Sequence, residues 1–404
     1  MEEVHEAVIV GAGIAGLATA IALKKVGIQS IVLEKSHQLR STGAAITLAP
    51  NAWRALDSLG VATKLTSIYR TFERGYVTNL ITGATQEQSF KGTNTNSGDE
   101  DMGVRSVHRK VLLETLANEL PENTVKFSIK INSIKSQEEE DITVLQLEDG
   151  SVIRTKALIG CDGVHSVVAQ WLGLTTPVDS GRSAVRGLSV FPAGHGLKHQ
   201  LHQFVGNNAR CAFVAMNQTD VFWGITTTDG TMVPREPELI QKEVTEHLAK
   251  DCPAEYLNVI QRAELSTITW APLMYRVPWD VLFGKTHRGG VTVAGDAFHP
   301  MTPDLGQGGC TALEDAVVLA RCLANSRGSV SSGMEMYVKE RRWRVAGIIT
   351  GAFLSGWVQQ GGTGWRWWLV KLFRDNLFYR FVFPRIVNFV HYDCGVLPEK
   401  EKTL

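Results

Sequence analysis

Residues 7–35 read AVIVGAGIAGLATAIALKKVGIQSIVLEK. Ala7–Val10 is apolar and short, as a buried strand would be. Gly11–Gly16 spells GxGxxG. Ile14–Val26 carries helical spacing and stops before Gly27, a residue suited to the turn past a helix end. Ser30–Glu34 is a second strand. Strand, glycine turn, helix and strand within 35 residues predict a βαβ unit. Gly11 permits the tight turn, Gly13 lets a pyrophosphate approach the backbone, and Gly16 lets the helix pack closely on the sheet. The helix N-terminus offers its N–H groups and positive dipole end to phosphates. Glu34 stands where a carboxylate accepts hydrogen bonds from ribose hydroxyls. The stretch predicts a dinucleotide site and leaves nicotinamide and flavin open.

The rest of the chain is compatible with that opening. Its 404 residues exceed one compact core and suit two interlocked domains. Lys+Arg and Asp+Glu are 41 each, which argues against a nucleic-acid binder and against a disordered chain. The six cysteines are scattered without CxxC spacing, so neither a thiol–disulfide motif nor a metal site is expected. The acidic start MEEVHE is not a secretory leader, and a cytoplasmic protein is the expectation.

From about Arg182 to Thr228 the texture changes. SAVRGLSVF, HQLHQFV, RCAFVAM and VFWGITTT are short runs separated by turn residues at Asn207-Asn208 and Asn217–Asp220. They read as antiparallel hairpins. A polar helix is expected at about Glu236–Lys250, a buried parallel-type strand at Gly290–Ala294, and a helix at Thr311–Leu323. Val345–Trp365 carries no charge but contains Gln359, Gln360 and several glycines, below the apolar density of a spanning helix. With the Trp-, Phe- and Arg-containing stretch that follows, it reads as a C-terminal helical cap, with peripheral membrane contact or an oligomer seam as the alternative.

Two later motifs narrow the cofactor. ALIGCDGVHS (157–166) is a strand ending in Cys161-Asp162-Gly163. VTVAGDAFHPMTPDLGQGGCTALED (291–315) is a strand ending in Gly295-Asp296, then a loop, then a helix opened by Gly306–Gly309. In this order and spacing the chain resembles the class A flavoprotein monooxygenases, the para-hydroxybenzoate hydroxylase fold. The resemblance covers about residues 5–345. GAAITLAPNA (43–52) and TPDLGQGGC (302–310) resemble the urate hydroxylase branch, and salicylate hydroxylase-like and zeaxanthin epoxidase-like enzymes are similar. The implied architecture is α/β (α+β overall): a Rossmann-like βαβ FAD-binding domain interrupted by an antiparallel β-sheet substrate domain, with a C-terminal helical region. Its pieces are expected at 1–75, 100–180 and 285–345 for the FAD domain, 76–99 and 181–284 for the sheet domain, and 346–404 for the helical region.

The resemblance implies tightly bound, non-covalent FAD held by Gly11, Gly13, Gly16, Glu34, Lys35, Thr47, Arg109, Ile131, Asp162, Asp296, Gly306, Gln307, Gly308, Gly309 and Cys310. Asp296 would accept from ribityl hydroxyls. The N–H groups at Gly306–Cys310, the start of a helix, would stabilise anionic reduced flavin. Glu314-Asp315 is expected in that helix's first turn, complementing its dipole. NAD(P)H and O2 would be co-substrates, and a flavin C4a-hydroperoxide would hydroxylate a small aromatic or heteroaromatic substrate. No nucleic acid and no transmembrane span are implied.

Arg186, Arg210 and Pro303 are the candidates at the reacting end, where an arginine would clamp an anionic ring. Each arginine also reads as a solvent-facing strand residue. Phe213, Phe222 and Trp223 are candidates for an apolar pocket or for core. Phe222 stands where urate hydroxylase has tyrosine, and Ala169 where the family's DG motif carries arginine. Same-fold alternatives are a flavin reductase or oxidase, or a ligand-binding flavoprotein with little turnover. A halogenase would need WxWxIP, and WRWW at 365–368 lacks it.

Overall fold

The computed structural model describes residues 4–39, 44–90, 102–137, 141–206, 209–228, 236–359 and 388–398. Val4–Val10 is the central strand of an eight-stranded sheet. It runs parallel to Ser30–Leu33 on one side and to Val152–Gly160 on the other. Val291–Val293 extends the parallel set beyond Val152–Gly160. The late GVTVA stretch thus returns to the sheet that the N-terminus began. The helix Ile14–Lys25 crosses between the first two strands. Every residue from Ile14 to Leu23 is buried, as expected of a helix that is apolar on all sides. Gly11 has φ +101°, and a Cβ on Gly16 would overlap the Gly11 carbonyl oxygen. Glycine is required at both positions, at the first by conformation and at the second by contact.

A second, seven-stranded sheet lies beside this layer. Its order is Thr269–Tyr275, Val178–Val190, Asp220–Thr227, Ala209–Ala215, Leu201–Val205, Arg74–Asn79 and Thr85–Ser89. The hairpins expected from 182–228 are present and antiparallel. Leu201–Val205, however, pairs in parallel with Arg74–Asn79. That strand enters from a distant part of the chain, and a parallel partner requires a long crossover rather than a hairpin.

Side chains alternate across this sheet. Val221, Trp223 and Ile225 face one side and join Val185, Cys211 and Phe213 in a core with Tyr256, Val259 and Ile260. Phe222, between them, packs toward the larger core of the parallel layer. The polar helix expected near 236–250 is Pro237–Glu243, continued by a wider π turn at Val244–Leu248.

Gly308–Asn325 is a long helix buried against the parallel layer. Val330–Gln359 follows and packs on it. Residues 388–398 return along that pair: Phe389 sits against Gly347, and Arg344 donates to the Phe389 carbonyl. The Trp- and Arg-rich stretch expected to cap the molecule falls in 360–387, outside the described residues. Among the described residues no helix is long and apolar enough to cross a membrane.

Candidate functional site

The glycine turn and Glu34 form one unit. Glu34 Oε2 accepts the Ala12 N–H at 2.8 Å, and Oε1 accepts the Ser36 N–H at 2.8 Å. The carboxylate is therefore held against the turn, at the end of Ser30–Leu33. A Cβ on Gly13 would meet nothing within 4 Å, so the backbone there is open to close approach. Lys35 is exposed beside it. Ile131 begins the strand Ile131–Gln137 and pairs with Leu147. It is Ile129, two residues earlier, whose N–H donates to the Glu34 carbonyl.

Asp162 closes the neighbouring strand. Its Oδ2 accepts the Val167 N–H at 2.7 Å, while Ser166 caps the next helix by accepting from Ala169. Asp162 Oδ1 is buried without a partner, and burial pushes its carboxyl pKa up. Ala169, where the family motif has arginine, lines a small pocket with Arg276. Arg276 is buried and donates to the carbonyls of Phe298 at 3.0 Å and Ala297 at 3.1 Å. It thus braces the far side of the GD loop, a role that no motif announced.

The GD loop presents Asp296 as an exposed residue with buried neighbours on both sides. Behind it, Asp315 accepts the Gly295 N–H at 2.8 Å, His299 Nε2 at 2.6 Å and Arg341 Nε at 2.7 Å. Burial alone would raise the Asp315 carboxyl, but His299 and Arg341 hold it well below the usual carboxylate range. The expectation for Glu314-Asp315 needs correction. The helix begins at Gly308, so both acids lie beyond its first turn and serve no dipole. They are fully buried and paired, Glu314 with Arg341 at 2.7 Å and with both Nε and Nη2 of Arg344.

The loop before that helix carries the remaining candidates. Pro303–Leu305 is one 3-10 turn, Gly306 has φ +63°, and Gln307 is the N-cap. A Cβ on Gly308 would lie 3.8 Å from Asp296 Oδ1, so the GD loop and the helix start border one space. Ile46, beside Thr47, packs on Gly309. Thr47 spends its hydroxyl on Ser106 at 2.8 Å. The Cys310 thiol is pushed up to about 12 by burial and lies near the Thr47 carbonyl, so it is a packing group rather than a nucleophile.

The arginines separate into two kinds. Burial lowers the guanidinium pKa of both Arg109 and Arg186; Arg186 also feels the charge of Arg109, and both feel that of Asp296. Arg186 pairs across the sheet with Gly224, where an added Cβ would lie 3.8 Å from the Arg186 Cγ, an ordinary contact. Arg210 instead bonds Gln203 at 3.0 Å and lies 3.7 Å from Asp304. Asp304 follows Pro303 and also takes a two-pronged bond from Arg182. Sequence reasoning missed both Arg182 and Asp304.

Two pocket candidates are corrected. Phe213 and Trp223 are buried on the opposite face of the sheet, in the core with Tyr256. Period-2 alternation puts them on the side away from Arg186 and Phe222. A run of Val, Phe and Trp does not reveal which face is which.

The family model described as an FAD binding domain matches residues 4–352. Monooxygenase 2 of Arabidopsis thaliana is 38% identical, over 96% of this chain and 97% of that protein. The 3-hydroxybenzoate 6-hydroxylase of Klebsiella oxytoca is 28% identical, over 86% of this chain and 87% of the relative. Among solved structures, Klebsiella pneumoniae HpxO complexed with FAD and uric acid superposes with a TM-score of 0.81 at 23% identity. It covers 98% of each chain.

Proposed function

From the premise that this chain belongs to the FAD-binding-domain family and is an FAD-dependent monooxygenase, we propose that it hydroxylates a small, anionic aromatic or heteroaromatic substrate at the expense of NAD(P)H and O2. Bound FAD supplies the two-electron chemistry and the activation of oxygen. The chain's own residues supply placement and charge. Gly11–Gly16 and Glu34 would hold the adenosine and pyrophosphate end. Arg109 and Asp296 would hold the ribityl and phosphate region, and Gly306–Cys310 the pyrimidine edge of the flavin.

The observation that carries the substrate reading is Arg186. It is a partly buried arginine that feels the charges of Arg109 and Asp296, and among the described residues no hydrogen-bond partner for its guanidinium is found. A partly desolvated charge of this kind favours an anion beside it. A carboxylate or ring oxyanion on the substrate meets that need and orients the ring by two parallel hydrogen bonds. Arg210, compensated by Asp304 and Gln203, needs no such ligand. Phe222 adds apolar wall on the Arg186 face, between Leu188 and Val214, and helps to exclude water from the reacting centre.

The test is NAD(P)H oxidation by the yellow holoprotein against phenolic acids, purines and indoles, with product mass. A gain of one oxygen, confined to anionic ligands, supports the proposal. A ligand set that accelerates NAD(P)H oxidation with no oxygenated product would overturn it.

A further inference from the structure

Asn51 lies in the helix Pro50–Ser58, is completely buried, and has no place in the dinucleotide fingerprint. Its Nδ2 donates to Gln307 Oε1 at 2.9 Å and to Glu314 Oε1 at 2.5 Å, while its own Oδ1 has no partner. Amide nitrogen satisfied twice and amide oxygen left bare is a costly arrangement in a core. It persists where the donor's two bonds matter.

What they hold is the N-cap of the Gly308–Asn325 helix. An N-cap side chain ordinarily turns back to satisfy the helix's first N–H groups. Gln307 makes no such bond: its side chain is drawn inward to Asn51. Its carbonyl is anchored by the N–H of Thr311 at 2.8 Å and by the Thr311 hydroxyl at 2.9 Å. The first-turn N–H groups therefore stay uncapped by their own residue and available to a ligand. Glu314, the other acceptor of Asn51, is clamped by Arg344, whose guanidinium sits 4.0 Å from the Tyr392 ring centre.

We propose that Asn51 is a positioning residue that withdraws the Gln307 side chain and fixes the uncapped helix start as a preset donor array for reduced flavin. The inference rests on the reading of residues 306–310 as the loop facing FAD. Oriented N–H dipoles favour the anionic, reduced form over the neutral, oxidised one. Loosening the clamp lets the Gln307 side chain compete for those donors. It weakens the preference for reduced FAD without removing any group that touches FAD.

The experiment measures the two-electron midpoint potential and visible spectrum of bound FAD in Asn51→Leu, Gln307→Met and the double variant. Gln307→Met removes the only side chain that could compete for the donors while leaving Asn51 and Glu314 paired, so it tests the proposal even if Asn51→Leu does not fold. Asn51→Leu is expected to lose about tenfold in preference for reduced over oxidised FAD, a shift of about 30 mV for a two-electron couple. Gln307→Met is expected to keep the wild-type potential, and the double variant to return to it, because the freed competitor is then absent. An unchanged potential in folded Asn51→Leu, a shifted one in Gln307→Met, or a double variant shifted as far as Asn51→Leu would overturn the proposal. Failure of the wild-type chain to take up FAD would be a different result, sinking the cofactor reading itself.

Discussion

Arg182 and Asp304 form a buried two-pronged ion pair, Nη1 to Oδ1 at 3.0 Å and Nη2 to Oδ2 at 2.6 Å. Arg182 belongs to the second sheet and Asp304 to the loop that follows the GD motif. The pair fastens the wall of the proposed substrate space to the loop bordering the proposed flavin space. Gly356 of the long C-terminal helix lies directly against it, with no room for a side chain. Replacing Asp304 by Ala leaves Arg182 charged and buried. Losing one partner of such a pair costs about 3–5 kcal/mol. Urea denaturation of Asp304→Ala should show a loss of that size. The double variant Arg182→Met/Asp304→Leu should recover most of it, and equal losses in the single and double variants would show that the pair is not what holds the contact.

Arg186 and Arg210 make opposite predictions. A hydrogen bond to a charged group contributes about 1.5–3 kcal/mol, so Arg186→Met should raise KM for an anionic substrate by about one to two orders of magnitude. KM for a neutral analogue of the same ring should change little. Arg210→Met removes a charge already shared with Asp304, and its first effect should appear in thermal stability. Steady-state kinetics on a matched acid and amide separate the two.

Much of the fold was legible because glycine and strand punctuation are local. Gly11, Gly16 and Gly27 each answer a short-range steric demand, and each is found where that demand arises. The site was only partly legible, because its supports come from residues far apart in sequence. Asp315 braces the GD loop across 20 residues, Asn51 reaches Gln307 across 256, and Arg182 reaches Asp304 across 122. One signal was present: two adjacent acids in an apolar helix need bases, and Arg341 and Arg344 stand one turn apart on the next helix. The misplaced Phe213 and Trp223 have a different cause. On a sheet covered on both faces, both sets of alternating positions are apolar.

Asp315 sets an acid limit on the fold. Its folded carboxyl pKa lies below the unfolded value of about 3.9. The stabilisation is fully present above the unfolded value and is lost as pH falls through it toward the folded one. Stability measured by urea between pH 6 and 2.5 should fall below about pH 4. Asp315→Asn should be less stable near neutrality, because Arg341 loses a partner, but flatter below pH 4. A parallel pair of curves would remove Asp315 from the account.

His108 offers a probe beside Arg109. Tyr69 Oη accepts the His108 backbone N–H at 3.3 Å and lies 2.8 Å from Nδ1, while Nε2 lies 3.2 Å from Asp220 Oδ2. This geometry suits the neutral ring with its proton on Nε2, pointing to Asp220, and with Nδ1 accepting from the tyrosine. Protonation would require the Tyr69 hydroxyl to turn. Burial lowers the imidazole pKa, and Asp220 partly restores it. The ring should therefore titrate below its ordinary value of about 6.5, which its proton resonance can follow. Asp220→Asn should lower it further, since only the depressing influence remains, whereas Tyr69→Phe should raise it by removing a donor that favours the neutral form. Because the folded pKa is depressed, the fold loses stability as pH drops through the unfolded value, and Tyr69→Phe should lessen that loss. A His108 resonance that moves upward in Asp220→Asn would mean that the ring's environment is governed by some other group.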